Sequence, residues 1–100
     1  MKKYKRIGAV QKTCEILTFL SEQKITVSAV ELSKALDIPK PTLLCYLSTL
    51  EDADIVSRAG EKYELGFKLA MFWASFKRHK KDRINEMRLQ LKQLEVDDEQ

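Results

Sequence analysis

Residues 28–50 read SAVELSKALDIPKPTLLCYLSTL, and this stretch decides the fold. Ser28 followed three residues later by Glu31 is a capping box: the hydroxyl takes an orphan N–H of the first turn and the glutamate bonds back. A helix is therefore expected over Ala29–Leu36, with Val30, Leu32, Ala35 and Leu36 as its apolar positions. Asp37-Ile38-Pro39 ends it, because the residue before a proline resists the helical region. Another helix is expected to begin near Lys40, where Pro41 is tolerated because a first turn has no N–H obligations. Leu43, Leu47 and Leu50 recur at helical spacing and are expected to face a core, with Tyr46 near that face. The result is a pair of helices with a tight connection.

The flanks extend this pair in both directions. From Ala9 to Ser21, Val10, Cys14, Leu17 and Leu20 follow helical spacing and predict an amphipathic helix. Gln23-Lys24 is a polar break, and the β-branched Ile25-Thr26-Val27 fits a small edge strand. Beyond the pair, Glu51–Asp54 ends the helix. Ile55–Arg58 and Lys62–Leu65 read as strands, joined by Ala59-Gly60-Glu61, where Gly60 is able to take positive φ. From Phe67 to Leu94 there is no Gly or Pro, which predicts one long helix, or two with a break in its basic stretch. Three helices, a β-hairpin and a further helix are the element order of a winged helix-turn-helix: mostly α, with a small β-hairpin and a C-terminal helix. The expected division is a basic arm (1–8), a winged helix-turn-helix (9–66), a dimerisation helix or helices (67–94) and an acidic tail (95–100).

The charge distribution points to a polyanion. Lys and Arg number 18 against 15 Asp and Glu in 100 residues, a small excess. It is concentrated in Lys2, Lys3, Lys5 and Arg6, and in Lys77, Arg78, Lys80, Lys81 and Arg83. Basic blocks beside a balanced body suit nucleic acid. Cys14 and Cys45 lack CxxC or metal-type spacing, so free thiols in a reducing cytoplasm are expected, with no metal and no cofactor. No apolar run of about 18 residues predicts a membrane span. His79 sits among cations with no nucleophile or carboxylate pair beside it, and no Gly-rich phosphate loop is present, so enzymatic activity is not expected.

Three motifs in order sharpen the reading. Val10-Gln11-Lys12 followed by Ile16-Leu17 resembles the opening helix of the IclR family of bacterial transcription regulators. Glu31–Leu36 followed by Ile38–Leu43 resembles that family's helix-turn-helix. Tyr63-x-Leu65-Gly66-x-x-Leu69 resembles the strand that closes its wing and starts its linker helix. The likeness covers about residues 9–72 and implies a regulator that binds double-stranded DNA. Two departures stand out. Pro41 replaces the family's usual Ser, and Leu44 and Cys45 replace polar or basic residues. The family also carries a C-terminal ligand-binding domain for which a chain ending at Gln100 has no room, so small-molecule sensing is not expected of it.

The expected DNA contacts follow from this arrangement. Lys40 and Thr42 open the recognition helix, where the N-terminal dipole favours phosphate. Leu44, Cys45 and Ser48 continue along it, and Leu44 suits thymine methyls. Ser28 opens the preceding helix. Arg58 and Lys62 flank the wing turn, and Lys5 and Arg6 belong to a basic arm that suits a minor groove. A homodimer is expected, because operators are commonly read by two-fold dimers. Its interface is assigned to Phe72, Trp73 and Phe76, and to the a/d spacing of Ile84, Met87, Leu91 and Leu94. Two other readings are open: a winged-helix protein–protein adaptor or anti-repressor, for which an apolar Leu44–Cys45 suits a protein groove, and a fragment of a longer ligand-sensing regulator.

Overall fold

The computed structural model describes residues 4–98. The chain runs α1 (Gly8–Glu22), β1 (Val27–Ser28), α2 (Ala29–Leu36), α3 (Lys40–Asp52), β2 (Val56–Ala59), β3 (Lys62–Leu65) and α4 (Phe67–Asp98). It falls into two units, Met1–Leu69 and Ala70–Gln100. The first is a winged helix-turn-helix, as the element order predicts.

Local chemistry explains the helix-turn-helix. Ser28 caps α2: its Oγ accepts the Glu31 N–H at 3.2 Å and donates to Glu31 Oε1 at 3.1 Å. The glutamate thus closes the box on the serine hydroxyl rather than on backbone. Helix α2 ends at Asp37, whose left-handed φ of 54° turns the chain. The Ile38 N–H donates to Ser33 O at 3.2 Å, and Ser33 Oγ donates to Ile38 O at 2.6 Å. The stop is therefore a left-handed cap locked by Ser33, with Pro39 placed to start α3 rather than to break α2. The Leu43 N–H reaches Pro39 O at 2.9 Å and closes the first turn of α3.

Ile16, Leu20, Val27, Leu32, Ile38, Leu43, Leu47, Val56 and Tyr63 form the buried core with Ala29, and Leu17, Phe19, Leu36, Tyr46, Leu50 and Leu65 pack around them. Fully burying each Leu or Ile contributes about 1.5–3 kcal/mol. Several expectations need correcting. The buried face of α1 is Ile16–Leu20, while Val10 and Cys14 are exposed. Both families of positions share helical spacing, and only the packing of the other elements selects one. In α2, Val30 and Ala35 are exposed, and Ala29 and Leu32 supply the contact. Ile25 is exposed and precedes the strand, which is only Val27–Ser28. Strand β2 begins at Val56, one residue later than expected.

The sheet has the order β1-β3-β2, so the short strand is indeed an edge. Tyr63 pairs with both Val27 and Arg58, and Lys62 with both Ser28 and Ala59. Directly paired residues share a face. Val27, Val56, Tyr63 and Leu65 therefore point inward together with Arg58, while Ser57, Ala59, Lys62 and Glu64 point outward. Gly60 turns the hairpin at φ 68°. At Gly66 the chain passes so close to Asp54 that a Cβ would lie 2.2 Å from the Asp54 carbonyl oxygen. The Gly66 N–H donates to Ile55 O at 2.8 Å.

In the second unit, α4 continues without a break through the basic stretch and on to Asp98, taking Glu95 and its neighbours into the helix. Phe72, Trp73 and Phe76 are exposed, so they form no part of the core. Trp73 and Phe76 stack with centroids 5.8 Å apart, and the Lys80 ammonium lies 5.4 Å from the Phe76 centroid.

Candidate nucleic-acid interface

Helix α3 has opposite faces of different character. Leu43 and Leu47 are fully buried, which turns Pro41, Leu44, Cys45 and Ser48 outward as one stripe at i, i+3, i+4 and i+7. Lys40 and Thr42 flank its N-terminal end and are exposed. The stripe carries no charge, and positions 41–50 hold no charged residue. The Thr49 hydroxyl is turned onto its own helix, donating to Cys45 O at 2.9 Å. The stripe therefore offers one proline ring, one leucine side chain, one thiol and one hydroxyl, with a cation at its head.

The other expected contact residues lie on other segments of the chain. Lys5 and Arg6 are exposed ahead of α1; Lys2 and Lys3 of the arm lie outside the described residues. Ser28 is half-buried, and its hydroxyl both accepts and donates within the cap of α2. Lys62 is exposed on the outward face of the wing. Arg58 shares the inward face of β2, and its Nε lies 3.6 Å from Glu51 Oε2 near the end of α3. Sequence reasoning did not find this partner, because Glu51 read only as a helix terminator and the strand register was needed to aim Arg58 at it. Between Met1 and Leu69, basic residues number 11 and acidic residues 9, so the excess in this unit is small and sits in the arm sequence.

The remaining chemistry is sparse. Among the described residues, no cluster of His, Cys, Asp and Glu is arranged to hold a metal, and no helix is long and apolar enough to cross a membrane.

Residues 11–58, from α1 into β2, match the bacterial regulatory protein, arsR family. No curated protein matches the chain. Among solved structures, it is similar to an IclR transcriptional regulator from Alicyclobacillus acidocaldarius, with 30% identity and a TM-score of 0.67 over 70% of this chain and 29% of that one. The Agobacterium tumefaciens repressor BlcR gives 23% identity and a TM-score of 0.61 over 69% and 28%. Pseudomonas aeruginosa HmgR gives 18% and 0.60 over 69% and 29%. The last two bear on the fold alone. The chain spans less than a third of each of these proteins.

The chain thus carries a winged helix-turn-helix domain of the kind found in bacterial transcription regulators. Its helix-turn-helix fits an arsR profile, while its likeness to IclR regulators is structural.

Proposed function

We propose that this chain is an IclR-like transcription regulator that binds double-stranded DNA in the cytoplasm and acts as a dimer, repressing or co-regulating by occupancy. Helix α3 enters the major groove, which is about 12 Å wide, with α2 bracing it across the backbone. The observation that carries this reading is the outward stripe Pro41–Leu44–Cys45–Ser48, backed by the buried Leu43 and Leu47 and headed by Lys40. In it, Leu44 and Cys45 meet thymine methyls and Ser48 supplies a hydrogen bond. Lys5, Arg6, Lys40 and Lys62 reach phosphates, and Arg58 joins them on leaving Glu51. The arm and wing hold register, and the stripe reads sequence.

The experiment is selection of bound duplexes from random DNA, followed by titration of the winner at several salt concentrations. Each neutralised phosphate adds about 0.9 to the log–log slope, so some six of the two copies' cations engaged on phosphate at once give a slope near −5. No enrichment and no duplex binding at low salt would overturn the DNA reading. That outcome would favour a protein-binding winged helix, a reading supported by the uncharged stripe.

A further inference from the structure

We propose that two copies of this chain pair through the second half of α4 in antiparallel orientation, with Lys81 of each copy lying along Glu95 of the other. This deepens the dimeric part of the reading above and is tested without DNA, so its failure leaves the DNA contacts untouched.

An apolar seam runs along α4. Ile84, Met87, Leu91 and Leu94 lie along one side of α4 and are all exposed in the single chain. Their spacing of three, four and three defines a and d positions. Leu89 and Val96, also exposed, fall on the opposite side of the helix.

Charge decides what covers the seam. Extending the same heptad frame backwards puts Lys77 and Lys80 on the seam itself. A parallel pair would stack each lysine on its own copy and set Arg83 against Arg88 across the flank, like charge on like charge. The antiparallel register that joins Ile84 to Leu94 and Met87 to Leu91 does the reverse. It places position 81 alongside position 95, Lys81 with Glu95, and moves Arg83 away from Arg88. The pair occurs twice by symmetry. Lys80 lies over Phe76, so the two Lys81–Glu95 pairs carry the complementarity. One opposing contact remains, where Arg88 meets its own copy. The pairing covers residues 80–98 and leaves the Trp73–Phe76 stack outside it.

The test uses the full chain with both exposed cysteines removed, Cys14→Ser and Cys45→Ser. Into this background go Lys81→Cys or Glu95→Cys, and the two proteins are oxidised singly and as an equal mixture. A heterodisulfide in the mixture, several-fold over either homodisulfide, is expected. Predominance of the Lys81→Cys homodisulfide would overturn the antiparallel orientation. Sedimentation supplies a second readout. Lys81→Glu is expected to weaken the pair several-fold, and mixing it with Glu95→Lys is expected to restore association. Leu89→Ala is expected to change nothing. Raising salt from about 0.05 M to about 0.5 M is expected to weaken self-association several-fold, because exposed opposite charges are screened. A monomer at high micromolar concentration, or association that tightens with salt, would overturn the proposal.

Discussion

Arg58 on the inward face of β2 directs its Nε to within 3.6 Å of Glu51 Oε2 on α3, tying the wing to the end of that helix. Both side chains are substantially exposed, so the pair contributes at most about 1 kcal/mol. Its larger effect is on availability: Glu51 holds the wing cation that the proposed DNA reading assigns to phosphate. Glu51→Gln is therefore expected to raise duplex affinity several-fold while leaving the melting temperature nearly unchanged. Equal or weaker binding by fluorescence anisotropy would show that Arg58 makes no contact of its own.

The two faces of α3 separate stability from binding. Leu47→Ala removes a fully buried side chain and is expected to cost about 2–5 kcal/mol in chemical denaturation. Leu44→Asp, on the outward stripe, is expected to keep the stability within about 0.5 kcal/mol. It is nonetheless expected to abolish DNA binding by setting a carboxylate against the phosphates. An unfolded Leu44→Asp variant would mean that the stripe packs against something in the protein itself.

The glycines make a graded series. Gly66→Ala forces a Cβ onto the Asp54 carbonyl, and backbone has little room to yield there; a loss of about 1–3 kcal/mol is expected. Gly60→Ala meets no atoms but retains a positive φ, so a loss of about 1 kcal/mol is expected. Gly8→Ala, at the start of α1 with open space around it, is expected to be neutral or stabilising by up to about 1 kcal/mol. Thermal unfolding of the three variants ranks them, and Gly66→Ala matching Gly8→Ala would contradict the tight junction between the wing and the preceding loop.

Cys45 and Cys14 are both exposed, but only Cys45 lies on the outward stripe of α3. Bound operator is expected to protect Cys45 from maleimide and to leave Cys14 reactive, and prior alkylation of Cys45 is expected to block binding. Mass spectrometry of the modified peptides reads this directly. Protection of Cys14 instead would move the DNA surface to α1.

Much of this architecture is legible in the residues, because its signals are local. Ser28 and Glu31 announce a helix start through a hydroxyl and a carboxylate one turn apart, and the α2 boundaries follow as predicted. Leu43 and Leu47 announce the buried face of α3. What the sequence leaves open depends on partners distant along the chain. Val10–Cys14 and Ile16–Leu20 both keep helical period, and only the packing of the other elements chooses between them. The same holds for Arg58: its inward aim comes from being paired with Tyr63, a fact of strand register. The aromatic turn of α4 is apolar enough to read as core, yet it stacks on itself in the open.

The uncharged stripe on α3 has a consequence for how such a protein would discriminate among sites. Cations that answer to ionic strength lie at Lys5, Arg6, Lys40, Arg58 and Lys62, while positions 41–48 hold none. On the proposed reading, salt then lowers the occupancy of every duplex by the same factor and leaves the ranking of sequences intact. Preference among operators would be a fixed property of methyl contacts and one hydroxyl, and only the number of occupied sites would follow the ionic state of the cell.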